Sequence, residues 1–372
     1  MLIQKPRLPL REIILFGLFP SFLKKILYRV KGYKIGKGVS IGFGSVVNGE
    51  EVIIGDHTQI GFLTVVRGKK IVIGEYVSIG TTVFLDTPFI EIGDGSKINE
   101  QVFVGGLQFP DSKFVMGRNC QIMQMTFINP ARSVTIGDDS GIGGHCLIFG
   151  HTSWLSIFEG YPVDFQPIEI GKSVSIAWGA FLLPGTQVGD GAVIGAKSVV
   201  SRTVPPKCLA VGFPARVVSR YPDFPIEVGE SQKREFLERI INDMLSFFKD
   251  SGLLVEFNGK TYEITEKTRT FLGEKRRSWR LAVSHDELNG DNESGEYQEF
   301  DVFLSLNEIP FNWRKILDSR RIVWIDIEKK EQSYMTNDLA EEVLLFLRRY
   351  GVRFVRIRTE ENKMQETGKR TQ

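Results

Sequence analysis

Aliphatic residues in the first half of the chain return every six positions, a spacing that fits neither the alternation of an exposed strand nor the turn of a helix. Counted from each Ile-Gly, the units read IGKGVS-IGFGSV from Ile35, IGDHTQ-IGFLTV from Ile54, IGEYVS-IGTTVF from Ile73 and IGDGSK-INEQVF from Ile92. MGRNCQ-IMQMTF from Met116 and IGDDSG-IGGHCL from Ile136 follow. From Ile170 the units run on without a gap as IGKSVS, IAWGAF, LLPGTQ, VGDGAV and IGAKSV. The aliphatic first residue and the small fifth residue (Ser, Thr, Val, Ala or Cys) can both face one interior. The residue after the aliphatic is expected at a corner, where glycine tolerates a positive φ. Three units then close one triangular coil of about eighteen residues, and stacked coils share one dry core.

The flanks follow other patterns. Residues 8–30 read as one or two short helices broken near Pro20. Over residues 1–31, Lys5, Arg7, Arg11, Lys24, Lys25, Arg29 and Lys31 face a single acid, Glu12. Such a segment can cap the open edge of the first coil, and a basic amphipathic segment can also lie on an anionic membrane surface. After Arg220 the hexads stop. SQKREFLERIINDMLSFFKDSG predicts an amphipathic helix ending near Gly252. LLVEFNGKTYEIT predicts two strands around Asn-Gly. Apolar strands are expected over 279–283, 300–306 and 322–327, and a helix over 337–350 leading into VRFVRI. The fold class is mainly β. Residues 1–33 are read as a helical cap, 34–221 as a β-helix, 228–360 as an α+β domain with no catalytic motif, and 361–372 as a flexible tail.

Composition narrows the class of function only a little. The chain has 372 residues, enough for two domains. A net charge of +2 gives no reason to expect a nucleic-acid partner. Three cysteines are an odd number without metal-ligand spacing, so neither a disulfide framework nor a zinc site is indicated, and a cytoplasmic setting is expected. No signal peptide is evident, and no apolar run approaches the ~20 residues that span a bilayer.

The candidate chemistry lies where the hexads open out, in IFGHTSWLSIFEGYPVDFQPIEIG between Ile148 and Gly171. Coil residues are fixed from above and below, so only a loop that leaves the coil can shape a cleft. His151 stands at the root of that loop, where a base can be held within reach of its proton. An unperturbed pKa of ~6.5 leaves a neutral imidazole near pH 7. On this reading alone, a loop histidine satisfied by local hydrogen bonds is the favoured alternative. His145, on an outward corner of IGGHCL, is the second candidate, either as a substrate contact or as a surface residue. His57 and His285 lack Cys or His partners at metal-binding spacing.

Downstream, Leu182 to Val218 reads LLPGTQVGDGAVIGAKSVVSRTVPPKCLAVGFPARVV, with a P-G-x-x-x-G turn, I-G-A-x-S-V-V, a basic residue, V-P-P and G-x-P-A-R-V. With the hexads, this stretch resembles the hexapeptide-repeat acyltransferases, and most nearly the sugar O-acetyltransferases such as the galactoside and maltose enzymes. The resemblance implies a left-handed parallel β-helix, a homotrimer with sites between neighbouring helices, acetyl-CoA as co-substrate and no metal. It implies acetyl transfer to a hydroxyl of a sugar or glycan precursor; N-acylation of an amino sugar and a non-enzymatic scaffold are the alternatives. His151 matches the general base. The Trp178 backbone amide, with Gly179 beside it, matches the group that faces the thioester oxygen. Here the chain departs from the family, which places a Trp where Ser175 stands and a small residue at position 178. Ala196, Ser201 and Arg202 match positions along the pantetheine and pyrophosphate path, and Arg216 matches a basic residue at the nucleotide end. A guanidinium suits phosphate because its fork binds bidentately. His145, Trp154, Glu159 and Tyr161 are expected as acceptor contacts. The loop aromatics Trp154, Phe158, Tyr161 and Phe165 would form either a sugar platform or a contact with a neighbouring subunit. Glu159, Asp164 or a backbone carbonyl could orient the second nitrogen of His151.

Overall fold

The computed structural model describes residues 9–270, 273–288 and 300–358. The expected tail, 361–372, and the basic residues Lys5 and Arg7 lie outside the described residues. The chain divides into two compact units, Met1–Ile226 and Glu227–Gln372.

The first unit is a three-sided parallel β-helix. Its first face is an eight-stranded sheet running from Lys34–Ile35 to Gln187–Val188. Its second face has ten strands, beginning at Ser40–Ile41 and closed by the antiparallel pair Cys208–Gly212 and Ala215–Arg220. Its third face has eight strands, from Val46–Asn48 to Val199–Val200. Ile35 pairs with Ile54, and Ile54 with Ile73, so each early coil returns after 19 residues. The third side carries no Ile-Gly, which is why the sequence shows the units in pairs.

The hexad positions behave as their chemistry requires. First-position Ile54, Ile60, Ile73 and Ile79 are buried, as are fifth-position Val39, Val77, Cys120 and Cys146. Polar fifth residues are buried too, and bond the backbone of the next coil. Ser45 Oγ donates to Gly61 O (2.6 Å) and accepts from the Thr64 N–H (2.8 Å). Thr58 does the same with Gly74 O and the Val77 N–H. A buried hydroxyl is tolerated there because both its donor and its acceptor roles are filled.

The second-position glycines have a different cause from the one expected. Positive φ falls on the fourth residue of the unit: Gly38, Gly44, His57, Leu63, Tyr76, Thr82 and His145 have φ between 51 and 74°. The second-position glycines are needed for room. A Cβ on Gly61 would sit 2.5 Å from the Gly80 carbonyl, and one on Gly36 would sit 2.4 Å from Asp56 Oδ1. That aspartate is part of the same device. Asp56 accepts the Lys37 N–H at 2.8 Å, Asp94 the Glu75 N–H at 2.7 Å, and Asp190 the Lys172 N–H at 2.7 Å. Glycine on one coil therefore makes space for the aspartate of the next.

The first coil has no strand before it, and the N-terminal segment fills that edge. A turn at Leu10–Glu12 runs into Ile13–Gly17, the chain breaks at Pro20, and a helix follows over Ser21–Val30. The Ile41 N–H donates to Ser21 Oγ (3.0 Å), the Val47 N–H to Tyr28 OH (3.0 Å) and the Gly44 N–H to Gly17 O (2.7 Å). Lys24, fully buried, donates to Gly42 O (2.6 Å) and Ser45 O (3.0 Å). Burial pulls its ammonium down from 10.5 to about 8.

The second unit carries helix Glu230–Asp250 and a hairpin, Leu254–Phe257 with Tyr262–Thr270, whose turn is held by Asn258 Oδ1. Strands Gly273–Ser284, Val302–Ser305 and Val323–Asp326 run parallel, with helix Phe311–Ser319 between the last two. Strand Glu331–Ser333, helix Asp338–Arg349 and strand Val355–Ile357 complete the sheet. The helix Phe311–Ser319 and the strand Glu331–Ser333 are short, and the sequence does not announce them.

Lys24 makes the cap pH-sensitive. Above about pH 8 the folded chain releases a proton that the unfolded chain keeps up to 10.5, so stability should rise with pH in that window. The Tm, measured against that of Lys24→Met, is expected to climb between about pH 7 and about pH 10. Parallel curves for the two proteins would contradict a desolvated ammonium at this site.

Candidate functional site

Two coils are longer than the rest. Ser96 bonds Cys120, 24 residues on, and Ser140 bonds Val174, 34 residues on. One excursion lies between Phe103–Val104 and Lys113–Met116, the other between Leu147–Phe149 and Ile168–Ile170. Both leave at the corner where the third face turns into the first.

The second excursion opens as a ribbon, with His151–Thr152 antiparallel to Asp164–Phe165, and turns over at Ile157–Glu159. His151 faces Phe165 across this ribbon, and Thr152 faces Asp164. The imidazole is held at both nitrogens. Nε2 lies 2.8 Å from Asn129 Nδ2, and Nδ1 lies 3.1 Å from Ser153 Oγ. With the Asn129 amide donating, Nε2 is the acceptor and the ring proton sits on Nδ1, directed at Ser153. Phe149 (6.0 Å) and Phe165 (6.2 Å) flank the ring. Phe109 of the first excursion meets Phe165 edge-on at 5.1 Å, and the Arg132 guanidinium covers Phe109 at 3.9 Å. Desolvation holds the His151 pKa below its ordinary value. The neutral, basic form is therefore favoured at pH 7.

Asn129 is 4% exposed and is enclosed by glycine backbone. A Cβ on Gly106 would lie 2.6 Å from Asn129 Nδ2, and one on Gly150 would lie 3.1 Å from Asn129 O. The Oδ1 atom of Asn129 is buried and has no hydrogen-bond partner. Asn129, Ser153 and the first excursion were not singled out by the sequence. The lengthened gap between Ile92 and Met116 is the signal that could have marked the first excursion; Asn129 and Ser153 carry none. Neither expected carboxylate orients the ring. Asp164 accepts from Gln166 Nε2 at 2.8 Å, and Glu159 is exposed on the turn. The ribbon register places Asp164 beside Thr152 instead.

The other expected site residues fall into two groups at opposite edges of the third face. Ser201 and Arg202 follow strand Val199–Val200, two strands on from Leu147–Phe149, at the same outgoing corner as His151. His145, Trp178, Gly179 and Ala196 precede third-face strands, at the incoming corner. There the His145 ring packs against Trp178 at 5.8 Å, and the indole lies over Gly144. Among the described residues the Trp178 N–H has no acceptor. Arg216 lies opposite Val211 in the closing hairpin, exposed. Trp154 and Phe158 are 96% and 98% exposed, and Tyr161 is exposed as well, so none of them packs on His151. A single chain thus does not bring His151 and Trp178 together.

The surface between the two corners is apolar. Phe84, Phe103 and Phe127 stack in an outward column at 5.0 and 4.8 Å, and Phe149 and Phe181 extend it. The matching outward positions on the second face are Ser40, Gln59, Ser78, Lys97, Gln121 and Ser175. Phe43, Phe62, Leu63 and Met125 are exposed along the incoming corner. Among the described residues, no group of three His, Cys, Asp or Glu side chains could hold a metal ion.

No protein-family model matches the chain. Over 126 residues it is 34% identical to the galactoside O-acetyltransferase of Escherichia coli, covering 31% of this chain and 60% of that one. Over 118 residues it is 32% identical to a Schizosaccharomyces pombe protein named as an acetyltransferase, covering 29% of this chain and 50% of that one. The similarity to these acetyltransferases covers about a third of the chain, which spans about half to three-fifths of their length. Among solved structures, a hexapeptide-repeat acetyltransferase from Vibrio cholerae, in complex with acetyl-CoA, superposes with a TM-score of 0.28 at 18% identity, covering 56% of this chain and 83% of that one.

Asn129 both shields and contacts the imidazole, so it should control its titration. In an NMR titration His151 is expected below the ordinary ~6.5, and Asn129→Ala, which admits water, should move it back up. An unchanged midpoint in the variant would mean that the shift has another source.

Proposed function

We propose that the chain transfers an acetyl group from acetyl-CoA to a hydroxyl of a sugar or glycan precursor, at sites shared between protomers of a closed trimer. The observation that carries this reading is His151: a neutral imidazole, half-buried, fixed at both nitrogens at the root of a rigid ribbon. The acceptor hydroxyl replaces the Asn129 amide at Nε2, which frees the ring's lone pair to face the hydroxyl proton. Nε2 removes that proton as the oxygen attacks the thioester carbonyl carbon. An N–H such as that of Trp178 stabilises the negative carbonyl oxygen. When the carbon–sulfur bond breaks, the imidazolium returns its proton to the leaving thiolate.

Symmetry supplies the missing half of the site. Three apolar third faces turned toward a threefold axis form a closed triangle, in which the outgoing corner of one protomer meets the incoming corner of the next. His151, Ser201 and Arg202 of one chain then line a crevice whose other wall carries Trp178, Gly179 and Ala196 of its neighbour. Arg202 and Arg216 are exposed and make no ion pair among the described residues, which suits them to phosphate. Trp154 and Phe158, bare in a single chain, would be covered by the adjoining protomer or by the acceptor. We also read the basic N-terminal segment as a membrane-surface contact and the enzyme as cytoplasmic; three free, buried cysteines suit that compartment.

His151→Ala is expected to lower kcat by ~10²–10⁴ with little change in acetyl-CoA affinity, and His145→Ala to cost much less. Near-normal turnover by His151→Ala would overturn the reading. Because burial lowers the His151 pKa, kcat/KM should hold as the pH falls to about 6.5 and decline only below it. Arg202→Ala or Arg216→Ala should each raise the KM for acetyl-CoA by about tenfold or more, the worth of a charge-assisted contact. Unchanged acetyl-CoA binding in both, by calorimetry, would misplace the coenzyme path.

A further inference from the structure

The helix Ser21–Val30 is amphipathic in the reverse of the usual sense. Its polar side chains point into the protein: Ser21, Lys24 and Tyr28 bond the open edge of the first coil. Its apolar stripe points out. Phe22, Ile26 and Val30, one turn apart, are 64%, 53% and 83% exposed. Ile14, Leu15 and Leu18, just upstream, are exposed as well. A soluble surface rarely leaves so many large apolar side chains together unless something covers them.

We propose that this outer face of the cap docks onto an anionic lipid bilayer. The flanking charge selects that occupant. Arg11 and Lys25 flank the stripe in sequence, against the single acid Glu12, whereas Arg29 and Lys31 bond Ile35 O and Asn48 Oδ1 at the coil edge. A flat apolar helix edged by cations is the form of a segment that lies in the headgroup layer, with its stripe in the acyl boundary. A second copy fits less well, because cap on cap would bring the same cations face to face. Among the described residues no helix is long and apolar enough to cross a membrane.

The consequence for the substrate rests on the acetyltransferase reading. The cap seals the end of the coil stack, so a bilayer beneath it lies across the helix axis. On the third face, strand Leu147–Phe149, which leads to His151, is five strands along from Val46–Asn48. At about 4.8 Å per strand, His151 stands roughly 24 Å above the first coil. The acceptor is therefore a membrane-attached glycan whose reacting hydroxyl lies well out from the headgroups. In the closed trimer all three caps share one end, and simultaneous engagement multiplies a weak individual affinity.

The test uses the full chain, without acetyl-CoA or acceptor, sedimented with phosphatidylcholine vesicles or with vesicles that also contain phosphatidylglycerol. Wild type should sediment with the anionic vesicles and be partly released by salt. Phe22→Ser/Ile26→Ser/Val30→Ser should weaken this by at least about tenfold, with Tm and turnover of a short soluble acceptor unchanged. Arg11→Gln/Lys25→Gln should remove the preference for phosphatidylglycerol. With vesicle-bound acceptors, wild type should favour a long glycan over a short one, and the triple variant should lose that preference. Vesicle binding by the triple variant equal to wild type, no wild-type binding to either vesicle, or a smaller assembly for the triple variant on gel filtration would each overturn the proposal. The last result would identify a second copy as the occupant. Vesicle binding is read without turnover, so its failure is distinct from a failure of acetyl transfer.

Discussion

Every coil of the β-helix must meet the coil before it, residue for residue, because its backbone donors and acceptors have no other partners. The remaining features of the first unit follow from that ladder. Second-position glycines such as Gly36 and Gly61 exist because the next coil passes within 2.5 Å of where a Cβ would be. Third-position aspartates such as Asp56 and Asp190 serve the corner amides that the ladder misses. The first coil lacks a predecessor, so Ser21, Lys24 and Tyr28 substitute for one. Those polar groups must turn inward, and the apolar side of the same helix is left on the outside.

The ladder also decides where chemistry can reside. Extra residues cannot be added within a strand without losing register, so both excursions leave at one corner, after the third face. The neighbouring coil then supplies the partner of the base: Asn129 is 22 residues before His151 in sequence and 2.8 Å away in space. The same geometry keeps Trp178 from His151, because the two occupy opposite edges of one sheet. An apolar outward column lies between them, and an assembly that buries this column joins the edges of neighbouring chains.

Much of this was legible in the sequence, for reasons that also explain what was not. A six-residue period identifies positions one and five as interior, and Ile54, Thr58 and Cys120 lie where it puts them. Glycine marks either a positive φ or a close approach, and a sequence does not separate the two. The φ > 0 positions hold some glycines, such as Gly38 and Gly44, but also residues such as His57, Leu63 and Tyr76, which carry no such signal. The place of His151 is readable from the break in the repeat. Asn129 and Ser153 were hidden, since their contacts depend on the register of coils whose lengths differ, 24 residues in one and 34 in another. The aromatic column was written into the sixth position of the second unit, in Phe84, Phe103, Phe127 and Phe181, but its meaning depends on which side of the sheet that position faces. In the second unit, long patterned elements such as Glu230–Asp250 were readable, whereas the nine-residue helix Phe311–Ser319 was too short to show a period.

The account turns on a site assembled from two edges that belong to different chains, and subunit complementation tests this directly. His151→Ala disables the outgoing corner. Ala196→Trp fills the incoming corner, at a hexad position where Trp178 shows that an indole is accommodated one coil earlier. Each variant alone should be nearly inactive in acetyl transfer from acetyl-CoA. After co-refolding, a mixed assembly contains interfaces that join the intact outgoing corner of one protomer to the intact incoming corner of the other. The account predicts that activity returns in the mixture to a substantial fraction of wild type. Mixed assemblies that form and remain as inactive as the separate variants would contradict it, and would place the whole site within a single chain.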